Sequence, residues 1–423
     1  MLAVTPLAAP VDADVHVPGS KSITNRALLC AALADGRSEL RGVLIADDTE
    51  AMLDAVRALG ADVVVDPAAR TAVVAGVDPR LDRRADPVRV DARQSGTTSR
   101  FVLPAAALRP GPTVVDGSEQ LRRRPFGPLL DALRDLGAAV EADGDAEPGY
   151  LPVTVTGPLR GGRVRIPGHV SSQFLSGLLI AGPLMADGLE VELSSELVSV
   201  PYVRITEAVM RAFGVEVSDD LRVPPARYRS TTYDVEPDAS AASYFFGAAA
   251  VTGGRVTVHG LGTSSVQGDV SFVDVLEAMG ATVERAPEHI TVTGPAHLRG
   301  VDVDLRDLSD TAQTLAAVAV FADSPTRVRG VGFVRGKETD RIRAVVTELR
   351  RAGVEAQEHD DGFTVVPGRA LPTRFETYDD HRMAMSLALL GLRVPGIEIA
   401  DPGCVAKTYP DFFDDLRALS TQA

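Results

Sequence analysis

The chain has 423 residues, 45% of them apolar and 24% charged, with 43 basic against 58 acidic side chains and a formal charge of −15. This composition excludes a disordered or fibrous chain and is long enough for two or three domains whose cores need no staples. The acidic excess argues against broad binding to nucleic acid or an anionic membrane, and two cysteines, Cys30 and Cys404, make neither a disulfide framework nor a cysteine zinc site.

The first fifteen residues, MLAVTPLAAPVDADV, hold no basic segment followed by an apolar core of signal-peptide length. The apolar run 315–322 is far shorter than the roughly 20 residues that span a bilayer. The expectation is a soluble, cytoplasmic protein.

Two kinds of string then alternate along the chain. SKSITNRALLCAALADG (20–36) opens on polar residues and continues as a helix apolar nearly all round. Residues 54–63, DAVRALGADV, read as an amphipathic helix ending at a glycine and running into a strand. The first kind returns as QSGTTSRFVLPAAAL (94–108), SSQFLSGLLIAGPLMADG (171–188), DASAASYFFGAAAVTGG (238–254), SDTAQTLAAVAVFA (309–322) and DDHRMAMSLALLGL (379–392). The second returns at 131–140, 207–217, 274–283, 347–356 and 414–420. All-round apolarity predicts that the first kind is buried. Gly60, Gly137, Gly214, Gly280 and Gly353 predict a left-handed C′ residue at the end of each amphipathic helix. Val-rich stretches between them (VHV, TVV, LEVEL, RVTVHG, RVRG, IEIAD) read as strands. The sum is six βαβαβ-like units of about 70 residues each. The best junctions lie near 10–20 and in the Pro- and Arg-rich stretch 219–237, giving three repeats per lobe.

Each buried helix starts on a polar group: Ser20-Lys21-Ser22, Ser95-Gly96-Thr97, Ser171-Ser172-Gln173, Asp238 with Ser240, Ser309-Asp310-Thr311, and Asp379-Asp380-His381-Arg382. Capping accounts for Ser, Thr and Asp there. It does not account for the neighbouring cations: Lys21, Arg26, Arg100, Arg122, Arg123, Arg124, Lys337, Arg341, Arg382 and Lys407. Helix N-termini attract anions, Arg clamps phosphate and carboxylate in two places at once, and Lys offers a point charge. The pattern predicts small substrates bearing phosphate and carboxylate groups. Asp310 and Glu338 are the acid–base candidates, since a carboxylate in a cationic cleft can be tuned for proton transfer. His381 reads more simply as a structural histidine. Gly336-Lys337-Glu338 fails the P-loop pattern, Gly260–Gly262 lacks the third glycine of a dinucleotide loop, and there is no HExxH or GxSxG.

The segments PGSKSITNRALL, SGTT, RRRPFGPLLDAL, VSSQFLSGLL, LVSVPY, SDTAQTLAAVA, GKETDRI, DHRMAMSLAL and DPGCVAKTYPDFF together resemble the 5-enolpyruvylshikimate-3-phosphate synthase (3-phosphoshikimate 1-carboxyvinyltransferase) family of enolpyruvyl transferases, in order and over nearly the whole chain. The resemblance implies an α/β (α+β) fold of two lobes, an inside-out α/β barrel with three βαβαββ repeats in each. Residues 18–234 would form the lobe of repeats 1–3, and 1–17 with 235–423 the lobe of repeats 4–6, with the active site between them. It implies transfer of the enolpyruvyl group of phosphoenolpyruvate to the 5-hydroxyl of shikimate 3-phosphate by addition–elimination, releasing phosphate, in aromatic amino-acid biosynthesis. Shikimate 3-phosphate would be held by Lys21, Ser22, Arg26, Ser171, Ser172, Ser199, Tyr202, Asp310 and Lys337. Phosphoenolpyruvate would be held by Lys21, Gln94, Gly96, Arg124, Gln173, Arg341, Arg382 and Lys407. Asp310 would be the base, Glu338 the proton donor, and Lys21 would share the proton work. No metal or organic cofactor is implied, and no nucleic acid, membrane or second chain.

Gln94, Phe101 and Phe333 depart from the family pattern, which usually has Asn, Pro and Asn at these places. Among rivals, the UDP-N-acetylglucosamine enolpyruvyl transferases carry a Cys in the loop that here reads DGSEQLRRRP. An RNA terminal-phosphate cyclase would need an ATP site and a nucleophilic His that no motif supports. A repeat-built scaffold or clamp on DNA is disfavoured by the net charge.

Overall fold

The computed structural model describes residues 1–422. Twelve of the thirteen α-helices among the described residues come in six pairs, and the two kinds of string account for both members; the other is the single turn Glu119–Arg122. In chain order the first six are α1 (Lys21–Ala32), α2 (Asp47–Ala58), α3 (Gly96–Ala106), α4 (Gly127–Asp135), α5 (Ser172–Ala181) and α6 (Val200–Ala212). The second six are α7 (Ala239–Thr252), α8 (Phe272–Ala278), α9 (Ala312–Ala319), α10 (Arg341–Arg351), α11 (His381–Gly391) and α12 (Phe412–Gln422). The odd-numbered helices are buried almost from end to end; the even-numbered ones show one apolar face to the core. Gly60, Gly137, Gly214, Gly280 and Gly353 all have positive φ.

The chain divides into two units, Gly19–Val235 and Met1–Pro18 with Glu236–Ala423. Each unit has its own apolar core, one built around Phe101, Phe126, Phe174 and Phe213, the other around Phe245, Phe272, Phe363 and Phe412. Sheet topology repeats within and between units. In the first unit the four-stranded sheets are Thr232–Asp234, Arg37–Arg41, Thr71–Ala75, Asp62–Asp66 and Val88–Asp91, Pro112–Asp116, Val153–Thr156, Ala139–Ala142, each in spatial order. In the second they are Asp12–Val15, Arg255–His259, His289–Thr293, Thr282–Arg285 and Asp302–Asp304, Thr326–Arg329, Gly362–Val365, Ala356–His359. All four begin with a parallel pair and continue with two antiparallel steps. The third sheet of each unit has one parallel and one antiparallel step: Gly162–Ile166, Leu189–Leu193, Arg222–Val223, and Arg374–Phe375, Glu398–Ile399, Leu2–Ala3. The amino-terminal segment thus supplies edge strands to two sheets of the carboxy-terminal unit, which is why residues 1–18 group with it.

Three strand expectations change. VHV is not a strand; the ladder runs over Asp12–Val15 and stops before His16. The amphipathic helix α6 is not followed by a strand, and Val215 is buried in irregular chain just after the turn Phe213–Gly214 instead. Helix α12 has neither the terminal glycine nor a strand after it among the described residues. Among the described residues no helix is long and apolar enough to cross a membrane.

Helices α3 and α5 cross closely at Gly177, where a Cβ would stand 2.5 Å from the Arg100 carbonyl oxygen. Alanine in a helix interior is ordinarily worth about 1 kcal/mol over glycine. Here the backbone contact should outweigh that gain. Gly177→Ala is expected to lower the melting temperature by several degrees in a thermal melt; a rise would show that the crossing is loose.

Candidate active site

In the unit Gly19–Val235 the starts of α1, α2, α3 and α5 are tied to one another. Ser20, Ser95 and Ser171 cap α1, α3 and α5 through their hydroxyls. The Lys21 ammonium lies 3.3 Å from the buried carboxylate of Asp48 in the first turn of α2. The hydroxyl of Thr98, on α3, donates to the Asp48 carbonyl (3.2 Å). The Gln173 amide, on α5, donates to the Thr97 hydroxyl (3.0 Å) and its oxygen accepts from Arg100 (2.7 Å). At Gly96 a Cβ would lie 2.8 Å from Arg100 Nη1 and 3.0 Å from Arg124 Nη1. The start of α3 is therefore bare backbone between two guanidinium groups, a setting for an anion.

Arg26 lies beneath this row, 1% exposed. It donates to the Ser22 carbonyl (2.8 Å), the Tyr202 carbonyl (2.9 Å), the Thr206 hydroxyl (2.7 Å) and the Ser176 hydroxyl (3.4 Å). Burial pulls its guanidinium down to about 10, against smaller raising effects of Tyr202, Cys30 and Tyr233. Ser199, just before α6, is buried and left-handed at φ 55°. Such backbone strain in a non-glycine residue is characteristic of binding sites. Ser172 is buried, while Gln94 is half-buried in the turn ahead of α3.

In the other unit the centre is Arg341, the first residue of α10 and 2% exposed. It donates to Asp380 (2.8 and 3.3 Å), to Glu338 (2.7 Å) and to Asp310 (3.1 Å). Arg382, in the first turn of α11, donates to the Asp310 carboxylate (2.6 Å), the Asp310 carbonyl (3.1 Å) and the Tyr244 hydroxyl (3.4 Å). The buried Lys407 ammonium stands 3.8 Å from the other oxygen of Glu338. Asp380 caps α11 through the Arg382 amide (2.9 Å) while holding Arg341. Burial alone would lower the Arg341 guanidinium; Asp380, Glu338 and Asp310 outweigh it and raise it further above its ordinary value.

One local expectation is corrected here. Asp310 is not the cap of its helix: it lies in a 3-10 turn, Ser309–Thr311, and its carboxylate goes to two arginines. Glu338 lies in the connection ahead of α10, which begins at Arg341 with Asp340 as cap. Lys337 is half-buried at the end of the 3-10 turn Gly332–Gly336. His381 is buried with Nδ1 3.7 Å from Asp380 Oδ1.

Neither Asp48, the partner of Lys21, nor Asp269 stands out among the local signals of the chain. Asp269 is buried, accepts from the Ser240 hydroxyl, and lies in the field of Asp310 and Arg382. Among the described residues no group of three or more His, Cys, Asp or Glu side chains is arranged to hold a metal ion.

Repeated α/β units whose helix starts carry lysine and arginine beside carboxylates have the features of an enzyme for small anionic molecules. Residues 7–416 match the family EPSP synthase (3-phosphoshikimate 1-carboxyvinyltransferase). The chain is 45% identical over 410 residues to the 3-phosphoshikimate 1-carboxyvinyltransferase of Nostoc punctiforme, covering 96% of this chain and 95% of that one. It is 43% identical over 422 residues to that of Serratia proteamaculans, covering 98% of each. Its fold matches EPSP synthase from Acinetobacter baumannii with a TM-score of 0.82 at 26% identity, covering 99% of this chain and 97% of that one. The chain belongs to the EPSP synthase family; it is a transferase of the shikimate pathway that moves an enolpyruvyl group.

The Asp269 carboxyl is pushed up to about 7, first by burial and then by the charge of Asp310, against Ser240 and Arg382, which pull it down. A carboxyl raised in the fold stabilises it when protonated; that contribution is complete below about pH 4 and is lost as pH rises through about 7. Asp269→Asn is neutral at every pH. The melting temperature of the variant relative to native protein should therefore shift in its favour between pH 5 and pH 8. A difference that is constant, or that runs the other way, would contradict the buried charge.

Proposed function

We propose that both clusters act on one substrate pair, shikimate 3-phosphate and phosphoenolpyruvate. Ser22, Arg26, Ser171, Ser172, Ser199 and Tyr202, with Lys21, Asp310 and Lys337, serve the shikimate phosphate. Gln94, Gly96, Arg124 and Gln173, with Lys21, Arg341, Arg382 and Lys407, serve phosphoenolpyruvate. The two phosphates carry about −1.5 to −2 each, and each substrate adds a carboxylate, so several cations are needed in one place. The observation that carries this reading is that Asp310, which helix capping would explain, is turned instead onto Arg341 and Arg382.

In this reading Asp310 takes the proton of the attacking 5-hydroxyl and Glu338 delivers one to the methylene carbon of phosphoenolpyruvate. The tetrahedral adduct then loses phosphate by C–O cleavage and a methyl proton, which returns to Glu338, so that the carbon–carbon double bond is restored. Glu338 is shared between Arg341 and Lys407. Phosphoenolpyruvate draws on the same two cations, which loosens their hold and lets Glu338 carry a proton. Lys21, beside Asp48, assists the proton movement. We place the chain in the cytoplasm as a monomer acting without nucleic acid or membrane, a reading the charge of −15 supports.

Inorganic phosphate should appear only when purified protein is given both substrates. Release with phosphoenolpyruvate and a UDP-amino sugar, but not with shikimate 3-phosphate, would overturn the assignment. Glu338→Gln and Asp310→Ala are expected to lower kcat by about 10²–10⁴ with far smaller changes in KM. Near-normal turnover in both would remove their proton roles. Lys21→Arg keeps the charge but replaces a compact ammonium by a planar fork, and should cost about tenfold or more in kcat; an unchanged rate would reduce Lys21 to a simple charge.

A further inference from the structure

One face of α10 is sewn to the segment that leads into the Asp380–Arg382 site. Arg341 opens the helix and holds the Asp380 carboxylate. Glu348 lies seven residues later, two turns along the same face and about 10 Å away. Its carboxylate is 0% exposed. It accepts from the Glu376 amide (3.0 Å), the Tyr378 hydroxyl (2.7 Å) and Arg351 (2.7 and 3.0 Å). Arg351 in turn donates to the Arg374 carbonyl (3.0 Å). Residues 374, 376, 378 and 380 are thus bound in sequence along one helix face.

Between the last two stitches the backbone is strained. Tyr378 and Asp379 are consecutive non-glycine residues in the left-handed region, at φ 56° and 54°. Such a residue is strained and persists only where the surroundings hold it. The turn they make ends at Asp380, whose carboxylate caps α11 and grips Arg341, and whose neighbour Arg382 meets Asp310. The Tyr378 ring is exposed while its hydroxyl reaches inward to Glu348. Burial and Glu348 push that hydroxyl up to about 12, so it remains a donor across the working range.

We propose that Glu348 is a positioning residue: through the Glu376 amide and the Tyr378 hydroxyl it holds the strained turn that aims Asp380 and Arg382 at the phosphoenolpyruvate side of the site. The kinetic part of this inference rests on the substrate assignment of the preceding subsection; the seam itself does not.

Two readouts separate them. Hydrogen exchange at the amides of residues 376–382, in the full chain without ligand, should quicken in Tyr378→Phe and more so in Glu348→Gln. Steady-state kinetics of Tyr378→Phe should show KM for phosphoenolpyruvate raised about tenfold, the order expected for losing one hydrogen bond to a buried charge. KM for shikimate 3-phosphate should stay within about twofold, because most of its proposed contacts lie in the unit Gly19–Val235. Tyr378→Phe removes a single oxygen from a side chain whose ring lies at the surface, so it keeps the test open if Glu348→Gln folds poorly. Unchanged exchange would remove the seam. Quickened exchange with both KM values unmoved, or moved equally, would make Glu348 purely structural. Native protein without transfer activity would instead sink the substrate assignment, and the aiming role with it, while exchange still judged the seam.

Discussion

A buried guanidinium must have its hydrogen bonds met, and Arg341 meets them with carboxylates, which sets the terms for the site in the carboxy-terminal unit. Taking an ion out of water costs several kcal/mol unless its hydrogen bonds are met. Arg341 meets them with Asp380, Glu338 and Asp310, which come from three separate connections in the chain. Each of those carboxylates is thereby diverted from its ordinary local role. Asp310 gives up capping its helix, Glu338 is held ahead of one, and Asp380 both caps α11 and serves Arg341. Removing one partner from a buried network of this kind is costlier than the network is stabilising.

Lysine and arginine divide the work. The chain contains three lysines, Lys21, Lys337 and Lys407, and every other basic side chain is arginine. All three stand among the proposed substrate contacts. Arginine does the structural binding elsewhere: Arg109 is wholly buried against Asp82, and Arg351 joins Glu348 to the Arg374 carbonyl. A rigid planar fork suits a permanent tie, whereas an ammonium on a flexible stem suits a group that exchanges partners as a ligand arrives.

The repeated architecture was legible because it rests on local signals. Small apolar residues after a polar start made the buried helices, and five glycines in register marked the ends of their amphipathic partners with positive φ. Most helix starts were legible for the same reason, since Ser20, Ser95, Ser171, Asp238 and Asp380 do cap. Pairings between distant segments were not. Nothing local shows that Thr232–Asp234 pairs with Arg37–Arg41, or Asp12–Val15 with Arg255–His259. The same limit hid Asp48 beside Lys21, Asp269 beneath Ser240 and Glu348 under Tyr378, because a carboxylate in an ordinary helical string looks like a solvated one until its neighbours from elsewhere are known.

The most direct test of this account is the pH dependence of what Arg341 contributes. Arg341→Met keeps most of the unbranched apolar stem, removes the guanidinium, and leaves Asp310, Glu338 and Asp380 facing one another without their shared cation. Their carboxyls should then bind protons more tightly in the fold, so that the variant is penalised most where they must ionise. Calorimetric melts of native and variant protein between pH 5 and pH 8 should show a deficit in melting temperature that is large at pH 8 and shrinks steadily toward pH 5. A deficit of the same size at both ends, or one that grows on acidification, would mean that Arg341 is held by packing and that the carboxylates around it are not its counter-charge.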